Sequence, residues 1–170
     1  MLAGISGFSS DLVRPAWQAN PVPVPDINVN WMAFAILSRR AENDPYQVAN
    51  NSGLPTGQAG LTMIVHEDLD ILLTFYGPDC LQKAAETRDG FELSQNTEAL
   101  RLAGMACAEL SDIIHAPELV NGRFFDRADT TLTLRREIRR EYAVLDFVSS
   151  SAGIFANRAD TTLHVSLSTD

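Results

Sequence analysis

The residues of this chain that could bind a metal ion or exchange a proton lie in one short acidic run. His66, Glu67 and Asp68 are consecutive and Asp70 follows, so the run offers one imidazole and several carboxylate oxygens. Neighbouring side chains of a strand point to opposite faces of its sheet, so consecutive residues converge poorly on one ion. A solvated hairpin turn is the favoured interpretation. A small enzyme with a site around His66, Glu67 and Asp68 is the alternative.

The two cysteines are the other candidate reactive groups. Cys80 and Cys107 lack the spacing of metal ligands, and two reduced, buried thiols in a protein made in the cytosol are the favoured interpretation. Cys80 lies near the start of a predicted helix, where a thiolate is favoured, but no histidine is near it in the sequence. The sequence has no nucleophile elbow, zinc-binding helix motif or glycine-rich phosphate loop. We therefore expect no catalytic residue, no metal and no cofactor.

The charge balance argues against whole classes of partner. The 170 residues carry 13 lysine and arginine side chains against 22 aspartates and glutamates, a formal net charge of −9. A surface that grips DNA phosphates or anionic lipid needs clustered cations, so neither is expected as a specific partner. No apolar run approaches the length of a bilayer, and we expect no signal peptide and no membrane span. The length and the apolar fraction of 45% predict an ordinary domain with its own core.

The most concentrated positive charge lies in residues 135–141, which read RREIRRE. As a strand, this run places Arg136 and Arg140 on one face and a ladder of alternating charge on the other. Such a ladder can pair with a neighbour of opposite charge, so we predict that four arginines contact another subunit or a partner: Arg135, Arg136, Arg139 and Arg140. The alternative is a solvated face whose ion pairs contribute little. A nucleic-acid groove is disfavoured, because aromatic stacking partners are sparse and the glutamates repel phosphate.

Residues 1–29 differ in composition from the rest of the chain. They contain glycines and serines, followed by a proline at every second position from Pro21 to Pro25. This spacing is incompatible with a helix or a central strand and favours an extended, polyproline-like path. We expect residues 1–29 to form an extended Pro-rich N-terminal arm that lies on a neighbouring surface, such as another subunit. Its predicted contact residues are Pro21, Val22, Pro23, Val24 and Pro25.

The remaining residues, 30–170, are predicted to form a single domain. Apolar runs and period-two alternation predict strands over residues 61–77, 105–115, 123–147 and 163–167. The apolar run at residues 30–37 has the length of a strand, and both a buried strand and a buried helical segment fit it. Residues 41–60 contain several asparagines, prolines and glycines and are predicted to be a loop. Asn121 and Gly122 are a strong turn signal.

Two helices are predicted between these strands. Asp79 is the candidate N-cap of a helix of about a dozen residues that ends near Gly90. Asn96 is the candidate cap of a short second helix, which Gly104 ends. Long strands around clustered helices predict an α+β fold, with a mainly antiparallel β-sheet and the two helices packed on one face.

Two patterns leave more than one interpretation open. The spacing of Leu134, Ile138 and Tyr142 also fits a helix around residues 135–143. The sequence RADTTL starts at Arg127 and again at Arg158. This echo indicates either two strands with equivalent faces or a coincidence of threonine-rich composition.

Several short motifs support a family resemblance. Residues 76–79 read YGPD, residues 88–91 read RDGF, and residues 96–105 read NTEALRLAGM. Further on come APELVNGRF at 116–124 and RAD at 127–129, and Asn30-Trp31 opens the first predicted strand. Over roughly residues 30–148 these motifs resemble the phage neck terminator (tail-terminator) family of tailed bacteriophages. The Pro-rich arm and the final strand lie outside the resemblance.

The resemblance implies a structural virion protein without enzyme activity. Proteins of this family form a hexameric ring that caps the tail tube, stops its growth and presents a docking surface for the head connector. The implied partners are therefore copies of the chain itself, the tail tube protein, the head connector or neck proteins and, in a contractile tail, the sheath. Genomic DNA would pass through the lumen without specific binding. The implied location is the virion neck, after synthesis and assembly in the host cytoplasm; another head–tail connector or head-completion protein is the alternative within this class.

Overall fold

Strands dominate the secondary structure, as the many alternating and β-branched residues favour. A computed structural model describes residues 2–18, 20, 22–50, 58–120, 122–145, 150–154 and 163–167. Three helices and a mainly antiparallel sheet among these residues confirm the predicted α+β class. In chain order the elements are α1 (Leu2–Ser6), a 3-10 turn (Ser10–Leu12), β1 (Val13–Pro15), β2 (Trp31–Ala41), β3 (Tyr46–Asn50), β4 (Gln58–Tyr76), α2 (Cys80–Glu92), α3 (Ser94–Leu102), β5 (Met105–Leu110), β6 (Ile114–His115), β7 (Glu118–Val120), β8 (Arg123–Phe125), β9 (Arg127–Leu145), β10 (Ser150–Ile154) and β11 (Leu163–Leu167).

The main sheet has the strand order β1-β2-β4-β9-β5, with β3 also paired to β4 and β6 to β9. β1 is parallel to β2, whereas β2 and β3 are antiparallel to β4, and β5 and β6 are antiparallel to β9. Side-chain hydrogen bonds join positions 70 and 133, 68 and 135, and 67 and 136. Because the residue number rises along β9 as it falls along β4 in these pairs, β9 is also antiparallel to β4. β9 is a strand throughout residues 135–143, so the alternative helix there is wrong.

The chain divides into two compact units. The first comprises Met1–Asn43 and His66–Ile138 and contains the three helices and the hydrophobic core. The second comprises Asp44–Val65 and Arg139–Asp170. In the second unit β3 pairs with the first part of β4, and β10 pairs with β11 in an antiparallel hairpin.

Two predictions for the second unit fall on these strands. The loop prediction for residues 41–60 is wrong at Tyr46–Asn50 and from Gln58 onward, because both segments are strands. The β-prone Tyr46 and Val48 pair with the strand that follows, a long-range partner that local composition does not reveal. The last predicted strand is confirmed as β11. The second copy of the RADTTL echo lies largely outside the described residues.

The core of the first unit is built from alternate residues of each long strand, those whose side chains point to one face of the sheet. Met32, Leu73, Phe75 and Leu132 are fully buried, because alternate strand residues share one face of the sheet. The helices cover this same face and add further buried residues to the cluster: Ile5, Cys80, Ala84, Phe91 and Leu100. Each large apolar side chain buried here contributes roughly 1.5–3 kcal/mol. The packing therefore explains the predicted placement of the helices on one face.

Residues 2–15 belong to this core, in contrast to the predicted extended arm. Ile5 of α1 is buried among the core side chains, and α1 packs against α2. The approach is close: a Cβ at Gly90 would lie 2.7 Å from the backbone oxygen of Ile5. β1 then adds a parallel strand beside β2, with Val13 opposite Met32. The segment folds onto its own subunit because its few apolar side chains fill the edge of the core, whereas residues 22–26 adopt neither helix nor strand, as their prolines predicted.

The start of α2 is positioned by the chain before β2. Asp79 occupies the predicted N-cap position, but its side chain makes no capping bond. Instead its Oδ2 accepts a hydrogen bond from Asn30 Nδ2 at 2.9 Å, while its backbone N–H donates to Asn30 Oδ1 at 3.0 Å. Gly77 has φ +108°, and a Cβ there would lie 2.5 Å from Asn30 Oδ1. Two of the motif segments, at 30–31 and 76–79, are thus one structural feature.

The second of the two predicted helices is α3, and it begins before the residue predicted as its N-cap. α3 starts at Ser94 with Leu93 as N-cap, so the assignment of Asn96 as the cap is wrong. Asn96 lies in the first turn, and its Nδ2 donates to the backbone oxygen of Gly90 at 2.7 Å, which ties α3 to the end of α2. The predicted end is confirmed, since Gly104 has φ +68° directly after the helix.

Candidate interaction surface

A belt of charged side chains crosses the middle strands of the first unit; we call residues 38–40, 66–70 and 133–137 the charged belt. On the helix-covered face, the Glu67 side chain is only 7% exposed. It accepts hydrogen bonds from Arg39 Nε at 2.7 Å and from Arg136 Nε at 2.8 Å. The bond from Arg39, the bond from Arg136 and the charges of both guanidiniums lower the pKa of Glu67 to about 2, against the opposing effect of burial.

The opposite face of the charged belt holds a second cluster. Asp70 accepts hydrogen bonds from Ser38 Oγ at 2.6 Å, Thr133 Oγ1 at 2.9 Å and Arg40 Nη2 at 3.1 Å. The bonds from Ser38 and Thr133, followed by the charge of Arg40, lower the pKa of Asp70. Arg135 Nε donates to Asp68 Oδ1 at 2.9 Å on this side. The carboxylates of β4 are therefore neutralised from both neighbouring strands.

This arrangement overturns two interpretations of the acidic run. The hairpin turn at residues 66–68 is wrong, because these residues lie inside β4. The side chains of the alternative enzyme site also fail to converge: His66 lies 3.3 Å from Glu42 and 3.8 Å from Glu137, whereas Glu67 and Asp68 contact arginines on opposite faces. Within the described ranges, no group of three or more histidine, cysteine, aspartate or glutamate residues is arranged to hold a metal ion.

Burial governs both cysteines. Cys80 is the first residue of α2 and is 3% exposed. Burial raises the pKa of its thiol and outweighs the backbone hydrogen bonds that favour the thiolate at a helix start. Cys107 is only half-buried, so the expectation of two buried thiols is wrong for this residue, although partial burial still raises the pKa of its thiol. Both are free thiols and are protonated at neutral pH.

The four arginines of the predicted contact patch lie in different surroundings. Arg135 and Arg136 bind Asp68 and Glu67 on opposite faces, so their charges are neutralised within the subunit. Arg139 and Arg140 are exposed and belong to the second unit. The structure therefore separates the patch into an internal pair and an exposed pair, and a contact of any of them with a partner stays a prediction.

Aromatic residues occupy the other end of the central strands. Trp31 at the start of β2 is the register partner of Tyr76 at the end of β4, and their rings stack with centroids 4.3 Å apart and planes 10° apart. The guanidinium of Arg14 lies 5.9 Å from the Trp31 ring, and that of Arg127 lies 6.0 Å from the Tyr76 ring. Both separations suit a cation–π contact. We call this pair of rings the aromatic stack.

Two depressions adjoin the aromatic stack. The first has a volume of about 540 Å³ and is lined by residues 14–18, Val22, Val24, Trp31, Ala33 and Tyr76. The second has a volume of about 500 Å³ and is lined by residues 24–27, Trp31, Tyr76, Glu118, Val120, Arg123 and Phe125. Both volumes fall in the range of protein sites that bury a ligand or an anchoring side chain.

The Pro-rich segment lies between these depressions. Val24 lines both of them, and the backbone oxygen of Pro23 accepts a hydrogen bond from Arg14 Nη1 at 2.9 Å. Trp17 nearby is 73% exposed, and Val22 and Val24 are also exposed. Of the predicted contact residues, Pro21 lies outside the described residues. The segment thus crosses its own subunit's aromatic stack and leaves apolar side chains uncovered.

The β7–β8 hairpin contributes the far wall. Gly122 has φ +76° at the predicted turn, and β7 pairs with β8 in antiparallel register; Asn121 lies outside the described residues. Leu119 is opposite Phe124, and both are exposed, Phe124 by 68% of its surface. The hairpin therefore adds apolar surface beside the second depression.

The predicted contact residues Val22, Val24 and Pro25 line these depressions, but sequence reasoning missed the aromatic stack itself. Trp31 and Tyr76 entered that reasoning only as motif residues, because their stacking depends on the register of β2 against β4. Arg14 and Arg123 were not predicted as contact residues, since neither lies in a run of charged residues. The sequence features that could have indicated the surface were the prolines Pro23 and Pro25 and the aromatic residues Trp31 and Tyr76 at strand ends.

The fold and this surface define the class of protein. It is a small α+β subunit that acts through contact with other proteins, because its charges are largely paired internally while apolar side chains remain uncovered. None of the helices in the described part of the chain is both long and apolar enough to cross a membrane. The family described as phage neck terminator protein matches residues 1–158, and the chain belongs to that family. It is a structural virion protein of the bacteriophage neck and acts with other head and tail proteins. No curated protein matches the chain.

Proposed function

We propose that this chain assembles into a hexameric ring that closes the tail tube and joins the tail to the head connector. The observation that carries the proposal is the family match over residues 1–158, which covers almost the whole chain. The uncovered aromatic stack with its two depressions supports it, because a ring of identical subunits needs apolar contact surface on each subunit.

The proposed partners are further copies of the chain, the tail tube protein, the head connector or neck proteins and, in a contractile tail, the sheath. Assembly takes place in the host cytoplasm. Genomic DNA passes through the lumen without specific binding, and the net charge of −9 suits that passage, because exposed cations would retain the phosphates. The contact residues proposed for these partners are Pro21, Val22, Pro23, Val24, Pro25, Arg135, Arg136, Arg139 and Arg140.

Electron microscopy of a phage that lacks the gene tests the role in the tail. The expected result is tubes of uncontrolled length without attached heads, and a gene supplied from a plasmid restores uniform, joined tails. Tails of normal length beside unjoined heads would contradict termination and would favour the alternative, another head–tail connector or a head-completion protein.

The mass of the purified chain in solution tests the ring and the Pro-rich segment. Deletion of residues 1–29 is unsuitable, because it also removes the buried Ile5 and strand β1. We instead propose a double variant that carries both Val22→Ser and Val24→Ser. Its matched control carries both Val48→Ser and Val144→Ser, since all four valines are exposed. The expected result is weaker assembly of the first variant alone, by light scattering or native mass spectrometry. Equal masses for both variants would remove the segment from the subunit contact.

A further inference from the structure

The sheet edges of this protein differ in how well they are protected against pairing with another chain. In the first unit, β1 has only three residues and ends with Pro15, and β5 is broken by a register shift between Cys107 and Glu109. Short strands, prolines and bulges all discourage an edge from pairing. In the second unit, β3 and residues 139–145 of β9 contain no proline, and among the described strands each pairs only with β4.

The hydrogen bonds along β4 show which backbone groups of β3 face away from it. Successive residues of a strand direct their N–H and C=O groups to opposite edges. The backbone oxygen of His66 accepts a hydrogen bond from the N–H of Glu42, so the even-numbered residues of β4 face the side of β2 and β3. The residues of β3 opposite them therefore bond to β4, whereas Gln47 and Ala49 direct their backbone groups outward.

The same alternation applies to the end of β9. The N–H of Glu137 donates to the backbone oxygen of Gly104, on the side of β9 that faces away from β4. β9 continues as a strand to Leu145, so Glu141 and Ala143 also direct their backbone groups away from β4. Each of the two edges thus presents a row of outward N–H and C=O groups, which is a template for another strand.

The directions of the two edge strands decide which pairing can repeat from copy to copy. β3 and β9 are each antiparallel to β4, so they run parallel to each other. β3 of one copy can therefore lie beside β9 of the next copy with both sheets in the same orientation. Pairing of β3 with β3, or of β9 with β9, joins only two copies through that edge.

The side chains at these edges are compatible with such a contact. β3 contains no charged residue, so it does not repel the two arginines and the glutamate at residues 139–141 of β9. Tyr46 on β3 is 68% exposed and Tyr142 on β9 is 45% exposed, so both rings gain burial when a strand is added beside them. An added strand derives its affinity mainly from main-chain hydrogen bonds.

We propose that β3 of one subunit pairs with residues 139–145 of β9 in the next subunit, so that the sheets of neighbouring copies join edge to edge. This inference rests on the proposed ring and names a backbone contact that links its subunits. The contact is heterologous, as closure of a ring requires, because each copy offers a different edge to each of its two neighbours.

Proline substitution at an outward position tests each edge. Gln47→Pro and Ala143→Pro each remove one outward N–H and place a ring in the path of the added strand, while the hydrogen bonds to β4 remain. Each variant should raise the concentration needed for half-assembly by about tenfold or more, by light scattering or native mass spectrometry.

The matched controls are Gln47→Val and Ala143→Val, which change the same side chains but keep the N–H groups. They should assemble like the unchanged chain, and so should the variant with Val48→Ser and Val144→Ser, which also keeps every backbone donor. Circular dichroism of the monomers shows whether the proline variants keep the fold.

Mixing the two proline variants tests the head-to-tail order. Gln47→Pro keeps an intact β9 edge and Ala143→Pro keeps an intact β3 edge, so one contact can form between the two chains. The expected product is a species of two subunits that grows no further, because both of its remaining edges are blocked. Neither variant should form this species alone.

Amide hydrogen exchange of the full-length chain locates the contact without any substitution. On assembly, the amides of Gln47, Ala49, Glu141 and Ala143 should exchange more slowly than in the dilute chain, because they gain a hydrogen-bond partner. The amides of α3 lie outside the proposed contact and serve as the reference, and their exchange should not change.

Four results would overturn the inference. These are assembly of both proline variants at unchanged concentration, an equal loss in the valine controls, a loss in only one proline variant, and absence of the two-subunit species from the mixture. A chain that stays monomeric at every concentration overturns it as well, since the proposed contact is between copies. The function in tail termination is judged separately, by the length of tails in micrographs of the gene deletion, so the two can fail independently.

Discussion

The charged belt and the aromatic stack lie on the same strands and use arginine in different ways. In the charged belt, Arg39 and Arg136 approach Glu67 to 2.7 and 2.8 Å and neutralise a side chain that the helices cover. At the aromatic stack, the Arg14 guanidinium lies over the Trp31 ring, 5.9 Å from its centre, and donates to the backbone oxygens of Asp11 and Pro23. An arginine that pairs with a nearby carboxylate stabilises its own subunit, whereas one held over a ring keeps a face that a partner can use.

This difference separates folding from assembly within one sheet. Substitutions on the helix-covered face should change the free energy of unfolding. Substitutions at the aromatic stack should change association while leaving most of the stability intact.

The largest contrast is between two neighbours of β4. Phe75 is 0% exposed and belongs to the core, whereas Tyr76 points to the opposite face and stacks on Trp31. Phe75→Ala should reduce the free energy of unfolding by about 3–5 kcal/mol, because it leaves a cavity. Tyr76→Ala should cost less than half of that, in urea titrations followed by circular dichroism. Equal losses would show that the two faces do not differ in this way.

A second prediction concerns the attachment of the N-terminal residues to the core. Gly90→Ala places a Cβ against the Ile5 backbone oxygen, so α1 must move. We expect a loss of about 1–3 kcal/mol in thermal unfolding. Gly4→Ala is the matched control, since a Cβ there meets nothing within 4 Å, and it should leave stability unchanged or slightly higher. A neutral Gly90→Ala would mean that α1 is not held against α2.

The third prediction is a pH dependence of the charged belt. The pKa of Glu67 falls from its ordinary 4.5 to about 2 on folding, so its contribution is fully present above pH 4.5 and is lost as the pH falls toward 2. Glu67→Gln should lower stability at neutral pH and flatten the acid limb of the stability curve. Water that reaches the exposed part of Arg39 limits the effect, which places it below the core substitutions.

Asp68→Asn is the control for this experiment, because Asp68 is the adjacent residue on the other face and is more exposed than Glu67. Asp68→Asn should lower stability at neutral pH by less than Glu67→Gln does, in urea titrations followed by tryptophan fluorescence. An equal loss of stability in both variants would contradict a special role of Glu67.

The smallest expected effect is on the surface of α3. Arg101 binds Glu98 through two hydrogen bonds of 2.8 Å, and the pair is solvent-exposed. Glu98→Gln should leave the melting temperature and the assembly concentration unchanged within error, because solvent screens exposed pairs. A clear change in assembly would place part of the subunit contact on α3, away from the aromatic stack.

Local chemistry explains the elements that could be predicted from the sequence. Period-two alternation indicated both parts of β4, because strand geometry places every second residue on one face. Gly77 and Asp79 marked the start of α2, and Gly104 the end of α3, because chain direction there depends on backbone torsions of single residues. The motifs at 76–129 indicated the family, which the match over residues 1–158 confirms.

Tertiary structure decided the features that depend on distant partners. The residues around Glu67 look like a solvated turn, yet they form a continuous strand because Arg39 and Arg136, 28 and 69 positions away, neutralise Glu67. Residues 2–15 were assigned to an arm, yet they fold onto the core because Gly90 leaves room for Ile5. The aromatic stack required the register of Trp31 against Tyr76. By itself, the sequence indicated most of the long strands, the turns at glycines and the family. Only long-range pairing determined strand β3, the continuous path of β4 and which charges are neutralised within the subunit.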